Sequence, residues 1–214
     1  MSGLLDSLLN SEMGQKLING ASQETGAPKD KTSSVLSMGL PLLLGGMKKN
    51  AQSPEGAASL MSALGGKHDG SILDNLGSLL GGGGVDKKVI EDGDGIVNHV
   101  LKDKKPVVEE TLAQKVGLDS GTVAKILKIG APILLGFLGK KTRENNVNDS
   151  SGLSSLLGGM LGGQSQGNQS LITSLLDQDG DGSILDDVGG MFFGSNKDKK
   201  GDKSGGGMLG GLFG

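Results

Sequence analysis

The chain has 214 residues and a formal net charge of −3, and it contains 41 glycines, four phenylalanines and no cysteine, tryptophan or tyrosine. The absence of cysteine excludes disulfides, thiol catalysis and cysteine-ligated zinc. The slightly acidic charge and the scarcity of aromatic side chains argue against nucleic-acid binding through a basic surface or through base stacking.

The amino-terminal segment, residues 1–10, carries Asp6 and lacks the basic stretch that opens a secretory signal. We therefore expect no export signal and a cytoplasmic protein. Further along the chain, apolar residues recur at helical spacing, as in Val107, Val108, Leu112 and Val116, and no sustained alternation of apolar and polar residues predicts strands. The sequence therefore predicts an all-α, multihelical protein.

Two blocks of sequence occur twice, in the same order. Residues 33–49, SSVLSMGLPLLLGGMKK, align without a gap with residues 124–140, AKILKIGAPILLGFLGK, at an offset of 91 residues. Residues 69–80, DGSILDNLGSLL, match residues 181–192, DGSILDDVGGMF, at an offset of 112 residues. Two ordered matches indicate a tandem duplication. The predicted units are helical repeat 1, residues 1–84, helical repeat 2, residues 85–192, and a tail, residues 193–214.

Glycine and proline mark the predicted helix boundaries. Leu-Gly-Gly triplets, such as the one at residues 44–46, predict helix ends with glycine just after the last turn. Pro54 and Pro106 fit first-turn positions. Pro41 and Pro132 lie inside the longer repeated block, where each removes a backbone donor and is expected to kink or split its helix. We expect the helices that contain this block to pair in the core across a pseudo-twofold axis.

The longest apolar run is IGAPILLGFLG, residues 129–139. It is too short to cross a hydrocarbon core of about 30 Å, which needs roughly 20 residues. We therefore expect a buried helix and no transmembrane segment. Residues 81–89, GGGGVDKKV, lack the residue order of a phosphate-binding loop and predict a linker between the repeats.

Three segments carry a family resemblance: DGDGIVNHVLKDKKPVVEETLAQKVG at residues 92–117, GLDSGTVAKILKIGAPILLGFLGKK at residues 117–141, and LLDQDGDGSILDDVGGM at residues 175–191. They resemble the bacterial YidB-like family, a domain of unknown function. The resemblance covers most of residues 1–192 and implies a multihelical, all-α fold. It implies no activity, because none is assigned at the level of the family.

The segment LDQDGDGSILDD, residues 176–187, has the alternating aspartates of a calcium loop. Such a loop supplies oxygen ligands from positions 1, 3, 5, 7, 9 and 12 and has glycine at position 6. The match holds through Gly182 at position 6 but fails at position 12, which is Val188. The loop is therefore not a standard EF-hand, and Asp187 would have to close a shortened site. The candidate ligands for Ca²⁺ are Asp177, Asp179, Asp181, the backbone carbonyl of Ser183, and Asp187.

A solvated, capped acidic turn is the alternative interpretation of this segment. Ser183 and Asp186 have the spacing of a capping box at a helix start, and repeat 1 keeps this spacing from Ser71. Repeat 1 has no acidic counterparts of Asp177 and Asp179, so capping does not explain these two residues. Both interpretations stay open at this point.

A related run, EDGDGIVNHV, occupies residues 91–100. We expect Asp94 to cap a helix and His99 to be a structural residue on that helix. His68 is expected in a loop. Two histidines that are distant in sequence and outside any ligand pattern do not predict a zinc site.

Two functional hypotheses follow from these observations. The first is a non-enzymatic helical scaffold that self-associates or docks a protein partner. The second is a calcium-binding or calcium-stabilised module that uses the loop Asp177–Asp187. An enzyme is disfavoured, because no nucleophile–base pair or carboxylate dyad can be named. The Gly/Lys-rich tail is expected to be disordered, and a weak contact with an anionic membrane surface is the alternative to a solvated tail.

Overall fold

The computed structural model describes residues 4–81 and 84–176, and this part of the chain consists of helices and connecting turns, without strands. The predicted all-α fold is confirmed. A 3₁₀ turn, Lys102–Lys104, joins two of the helices. The helices are α1 (Leu4–Asn10), α2 (Glu12–Thr25), α3 (Lys29–Asn50), α4 (Pro54–Gly65), α5 (Ser71–Asp74), α6 (Leu76–Leu79), α7 (Lys87–Leu101), α8 (Lys105–Val116), α9 (Ser120–Glu144), α10 (Ser150–Gly162) and α11 (Gln166–Leu176).

Helices α3 and α9 contain the longer repeated block, and they pack against each other in the core. Gly39 on α3 faces the side chain of Leu127 on α9. Their counterparts make the same contact in reverse, because Gly130 on α9 faces Leu36 on α3. The reciprocal contact is what a twofold relation between the repeats requires. Glycine at both positions lets the helix axes approach closely.

The helix boundaries repeat as well. Helices α2 and α8 both end at a glycine in the left-handed region, Gly26 with φ 72° and Gly117 with φ 65°, and these two glycines are 91 residues apart. Pro54 begins α4, where the Ser53 hydroxyl accepts a 3.0 Å hydrogen bond from the Gly56 N–H. Proline at the first turn agrees with the sequence prediction, and the serine cap satisfies a backbone N–H of that turn.

Pro41 and Pro132 lie inside continuous helices, so the predicted splitting of these helices is wrong. Pro41 has no N–H for the carbonyl oxygen of Ser37, four residues earlier. The side-chain amide of Asn168 on α11 donates a 3.0 Å hydrogen bond to that oxygen instead. A tertiary contact therefore satisfies the acceptor that the proline leaves free, and α3 continues past it.

The triplet at residues 44–46 lies inside α3, so its interpretation as a helix end is also wrong. Gly45 faces Ile172 and Leu176 of α11, and Gly46 faces Val100 of α7. These glycines make room for neighbouring helices. A Leu-Gly-Gly triplet that serves close packing has the same local sequence as one that ends a helix.

The two predicted repeats exchange their later helices. Helices α4 and α5 follow the central helix of repeat 1 but pack against α9, while α10 and α11 follow α9 but pack against α3. Buried apolar residues on both sides of residue 84 belong to one hydrophobic core. The boundaries of repeats 1 and 2 stay a prediction.

Gly136 on α9 and Gly45 on α3 are counterparts, yet different helices cover them. Gly136 faces Ile72 of α5, within the block 69–80. Gly45 is covered by α11, which precedes the matching block 181–192. On α3, the surface at Gly45 corresponds to the surface of α9 that Ile72 covers. Helix α11 already covers this surface of α3.

Helix α9 is the one helix in the described ranges that is long and apolar enough to cross a membrane. Of the 18 residues in its most apolar stretch, 72% are buried within the fold, as in the core helix of a helical bundle. The apolar run 129–139 belongs to this helix and is buried throughout. The prediction of a buried helix for this run is confirmed.

Candidate functional site

A cleft of about 630 Å³ opens between α4 and α7. The last turn of α3 and the middle of α9 form its base, through Met47 and Leu135. Its volume is in the range of about 300–1,000 Å³ that is usual for clefts that bind ligands.

The base and the walls of the cleft are apolar. Met47 and Leu135 are 2% and 4% exposed, and Val100 of α7 is 9% exposed. Leu60 on α4 and Ile96 on α7 are partly buried and line the two walls. Side chains of this kind can bury the apolar groups of a ligand.

Charged side chains form the rim of the cleft. Lys67 Nζ lies 2.6 Å from Asp92 Oδ1, and the two side chains are 69% and 16% exposed. Lys88 and Glu91, both exposed on α7, extend the rim toward the start of that helix. The rim carries charges of both signs, so it has no strong preference for an anionic or a cationic ligand.

His68 lies in the loop after α4, as predicted, but it is buried, with 6% of its surface exposed. Its Nε2 atom lies 3.7 Å from Asp92 Oδ2, and its backbone N–H donates a 3.0 Å hydrogen bond to the carbonyl of Ala63. Burial lowers the pKa of His68, while the Asp92 carboxylate raises it and the Lys67 ammonium adds to the lowering. The imidazole is therefore neutral at neutral pH.

His99 lies on α7, where it is exposed and lines the same cleft. Its backbone carbonyl accepts a 3.3 Å hydrogen bond from the Asn50 amide, which ties the end of α3 to α7. Both histidines of the chain thus line one cleft. No sequence pattern indicates this, because His68 and His99 belong to different predicted repeats.

A second group of charges lies beside the cleft, on the middle of α7. Asp94 Oδ1 is 2.8 Å from Lys128 Nζ and 3.5 Å from Lys105 Nζ. The hydrogen bond from Lys128 and the charges of both lysines lower the pKa of Asp94. The prediction that Asp94 caps a helix is wrong, because Asp86 is the cap of α7 and accepts a 2.8 Å hydrogen bond from the Lys88 N–H.

The comparison with known families agrees with this architecture. A family model described as a bacterial protein of unknown function, DUF937, matches residues 7–141 and again residues 144–214. The chain belongs to the DUF937 family. Two successive matches fit the tandem duplication, and DUF937 membership is consistent with the YidB-like resemblance. Neither the curated proteins nor the solved structures include a match to this chain.

The Asp-rich loop of this DUF937 protein lies outside the described residues, as does the tail 193–214. This applies to every predicted Ca²⁺ ligand: Asp177, Asp179, Asp181, Ser183 and Asp187. The counterpart of Asp181 in repeat 1 is Asp69, which is described. Its Oδ1 atom accepts a 3.0 Å hydrogen bond from the Ser71 N–H, and this bond lowers the pKa of Asp69.

The predicted capping box at Ser71 is therefore wrong. Ser71 begins a helix of one turn, and the residue before it, Gly70, has a φ of 104° and makes no side-chain cap. The carboxylate of Asp69 takes the capping role instead, because it reaches the Ser71 N–H from two residues earlier. An aspartate at this place in the repeated block thus has a local structural role in repeat 1.

The α4–α7 cleft combines an apolar base with a polar rim. Within residues 4–81 and 84–176, no three His, Asp or Glu side chains are grouped so that they could hold a metal ion. The rim offers hydrogen-bonding groups from Lys67, Asp92 and His99 above an apolar base. This arrangement can bury apolar side chains and bind the polar backbone or side chains that accompany them.

Proposed function

We propose that this DUF937 protein is a non-enzymatic, cytoplasmic interaction module that binds an apolar segment of a protein in the α4–α7 cleft. The observation that carries the proposal is an open cleft of about 630 Å³ with an apolar base and a rim of mixed charge. A groove between helices is a common site for a segment that presents apolar side chains on one face. The mixed rim fits a polypeptide better than a nucleic acid, whose phosphates require a basic surface.

Gly95 on α7 offers a way to fill the cleft while leaving the fold intact. It lines the cleft, and a Cβ added there would meet nothing within 4 Å. A leucine at this position extends into the space that a bound segment would occupy. Gly159 on α10 is a matched control, because it is also an exposed helical glycine with open space around it and it does not line the cleft.

The test is a selection of random peptides against the full chain, followed by titration of the selected peptides. Wild type and Gly159→Leu are expected to bind them equally, whereas Gly95→Leu should bind at least about tenfold more weakly, or about 1.4 kcal/mol. Failure to select any peptide, or equal binding by Gly95→Leu, would contradict the proposal. Light scattering during the titration separates binding of the peptide from self-association of the chain.

A second proposed function is Ca²⁺ binding by residues 177–187. Its support is the spacing of Asp177, Asp179 and Asp181 before Gly182, together with the absence of acidic counterparts of the first two in repeat 1. A loop without an acid at position 12 should bind weakly, with a Kd of about 10⁻⁴–10⁻³ M.

The melting temperature with and without Ca²⁺ at several millimolar tests this second function. The wild-type protein should melt at a higher temperature with Ca²⁺, and the double variant Asp177→Ala/Asp179→Ala should not respond. No shift in the wild type, or an equal shift in the variant, would reject it.

A further inference from the structure

We infer that residues 183–193 of the same chain, SILDDVGGMFF, occupy the α4–α7 cleft when no partner is bound. The inference rests on the proposed function, because it names the segment that a protein partner would displace. It follows from a repeated sequence block whose first copy is described, from the surface that this copy covers, and from the place where the described chain ends.

The first copy of the block, residues 69–80, buries its apolar side chains. Leu73, Leu76 and Leu80 are 7%, 2% and 4% exposed, and Ile72 faces Gly136 of α9. The second copy keeps an apolar residue at each of these four matching positions: Ile184, Leu185, Val188 and Phe192. A segment with the same pattern of apolar side chains is stabilised by the same kind of contact, a surface that removes them from water.

The twofold-related position on α3 is not open to this segment. This position is the surface of α3 at Gly45, the counterpart of the surface of α9 that Ile72 contacts. Gly45 faces Ile172 and Leu176 of α11. The second copy of the block must therefore use another apolar surface. The α4–α7 cleft provides one, with Met47 and Leu135 at its base.

The described chain ends beside this cleft. The carbonyl oxygen of Leu176 accepts a 3.1 Å hydrogen bond from Lys49 Nζ. Leu176 lines a smaller groove of about 230 Å³ together with Asn50 and Val100, and these two residues also line the cleft. The seven residues 177–183 can span up to about 25 Å, which is enough to pass from one groove to the other.

Charge along this path agrees with the inference. Lys49, Lys102 and Lys104 surround the smaller groove, with Asp103 as its acidic member. The connection between Leu176 and the segment, residues 177–182, contains three aspartates. Attraction between these charges favours a path toward the cleft. A short connection also holds the segment at a local concentration in the millimolar range, so even weak apolar contacts are populated.

The chain has no cysteine. A pair of introduced cysteines can therefore form only one intramolecular disulfide, and that disulfide reports whether the two positions meet. Ala63→Cys places a thiol in the wall of the cleft, and Phe192→Cys places one in the segment. The control pairs Phe192→Cys with Ser34→Cys, an exposed position near the other end of α3. Fifteen residues, 177–191, could span up to about 50 Å, so the control position is within reach of the chain.

Disulfide formation is then followed in dilute solution of the full chain on non-reducing gels. The Ala63/Phe192 pair should form an intramolecular disulfide at least about tenfold faster than the control pair. Adding Gly95→Leu should remove this advantage, and adding Gly159→Leu should leave it. Equal rates for the two pairs would overturn the inference. A disulfide found only between two chains would assign the cleft to a second copy and would overturn it as well.

The peptide titration described for the proposed function can succeed whether or not residues 183–193 occupy the cleft, because a peptide that binds more tightly displaces them. If cross-linking fails while selected peptides bind in a Gly95-dependent way, the inference alone is overturned. If both fail, the proposed function is overturned with it.

Discussion

Gly93 on α7 lies directly against the backbone carbonyl oxygen of Lys128 on α9. In a regular helix this oxygen would accept a hydrogen bond from residue 132, which is a proline without an N–H. Because Gly93 has no side chain, α7 approaches α9 closely at this point, and its backbone covers the oxygen that the proline leaves free. The contact fixes α7, which forms one wall of the cleft, onto the central helix α9.

Replacing Gly93 tests this contact. In Gly93→Ala the new methyl group would collide with a backbone carbonyl, which cannot rotate away, so the free energy of unfolding should fall by about 1–3 kcal/mol or more. Gly95→Ala, two residues later, adds its methyl group to open space and should raise stability by about 0.5–1 kcal/mol, because alanine favours the helix. Urea unfolding of both variants measures the difference. Equal effects would contradict the packing described.

Asn168 on α11 is predicted to stabilise the proline-containing helix α3. Asn168→Ala removes the donor to the Ser37 carbonyl, so that neither a backbone nor a side-chain group satisfies this oxygen in place of Pro41. Stability should fall by about 1 kcal/mol. The control variant Asn145→Ala loses an exposed hydrogen bond to the Lys141 carbonyl. It should reduce the free energy of unfolding by less than Asn168→Ala does. Chemical unfolding that ranks the two variants in the opposite order would reject this role.

His68 predicts a loss of stability in mild acid. Its pKa is lowered in the folded protein, mainly by burial, so below about pH 6.5 the unfolded chain binds a proton that the folded chain does not. The free energy of unfolding should therefore fall as the pH drops from 7 to 5, and His68→Gln should reduce that fall. The variant His99→Gln, at an exposed position, is the control and should keep the wild-type dependence. An unchanged pH dependence in His68→Gln would contradict the prediction.

For Glu109 we expect the opposite pH dependence from that of His68: its contribution lowers stability as the pH rises. Its Oε1 atom is buried and has no hydrogen-bond partner among the described residues. Burial raises the pKa of Glu109, against the effect of Lys105 and Lys128, so its charged form lowers stability above the folded pKa. Glu109→Gln should raise the melting temperature at pH 7, and the gain should disappear as the pH falls toward 4.5. The exposed control Glu110→Gln should show little change. A lower melting temperature for Glu109→Gln would reject this account.

The sequence predicted the helical class and the pairing of α3 with α9, because the repeated block is long and apolar in both copies. In the structure, most of the apolar residues of both copies are buried. It did not predict how individual glycines are used. The Leu-Gly-Gly triplet at residues 64–66 ends α4, whereas the one at residues 44–46 continues through α3. The difference comes from α7 and α11, which pack against Gly45 and Gly46 and are distant in sequence.

The cleft could not be predicted for the same reason. Its two histidines come from a loop of repeat 1 and a helix of repeat 2, and they meet only through the packing of α4 and α7 on the central helices. The sequence emphasised Asp177–Asp187 instead, where the spacing of acidic residues is visible locally. Binding surfaces made by tertiary packing leave no such local pattern.

Whether residues 183–193 occupy the α4–α7 cleft is tested most directly by the fluorescence of the variant Phe192→Trp. The introduced residue would be the sole tryptophan of the chain. The emission is predicted to be shifted to the blue of a solvent-exposed tryptophan, to move to the exposed value when Gly95→Leu is added, and to stay shifted with Gly159→Leu. Emission at the exposed value in all three proteins, or a blue shift that Gly95→Leu leaves unchanged, would contradict the assignment of the cleft to this segment.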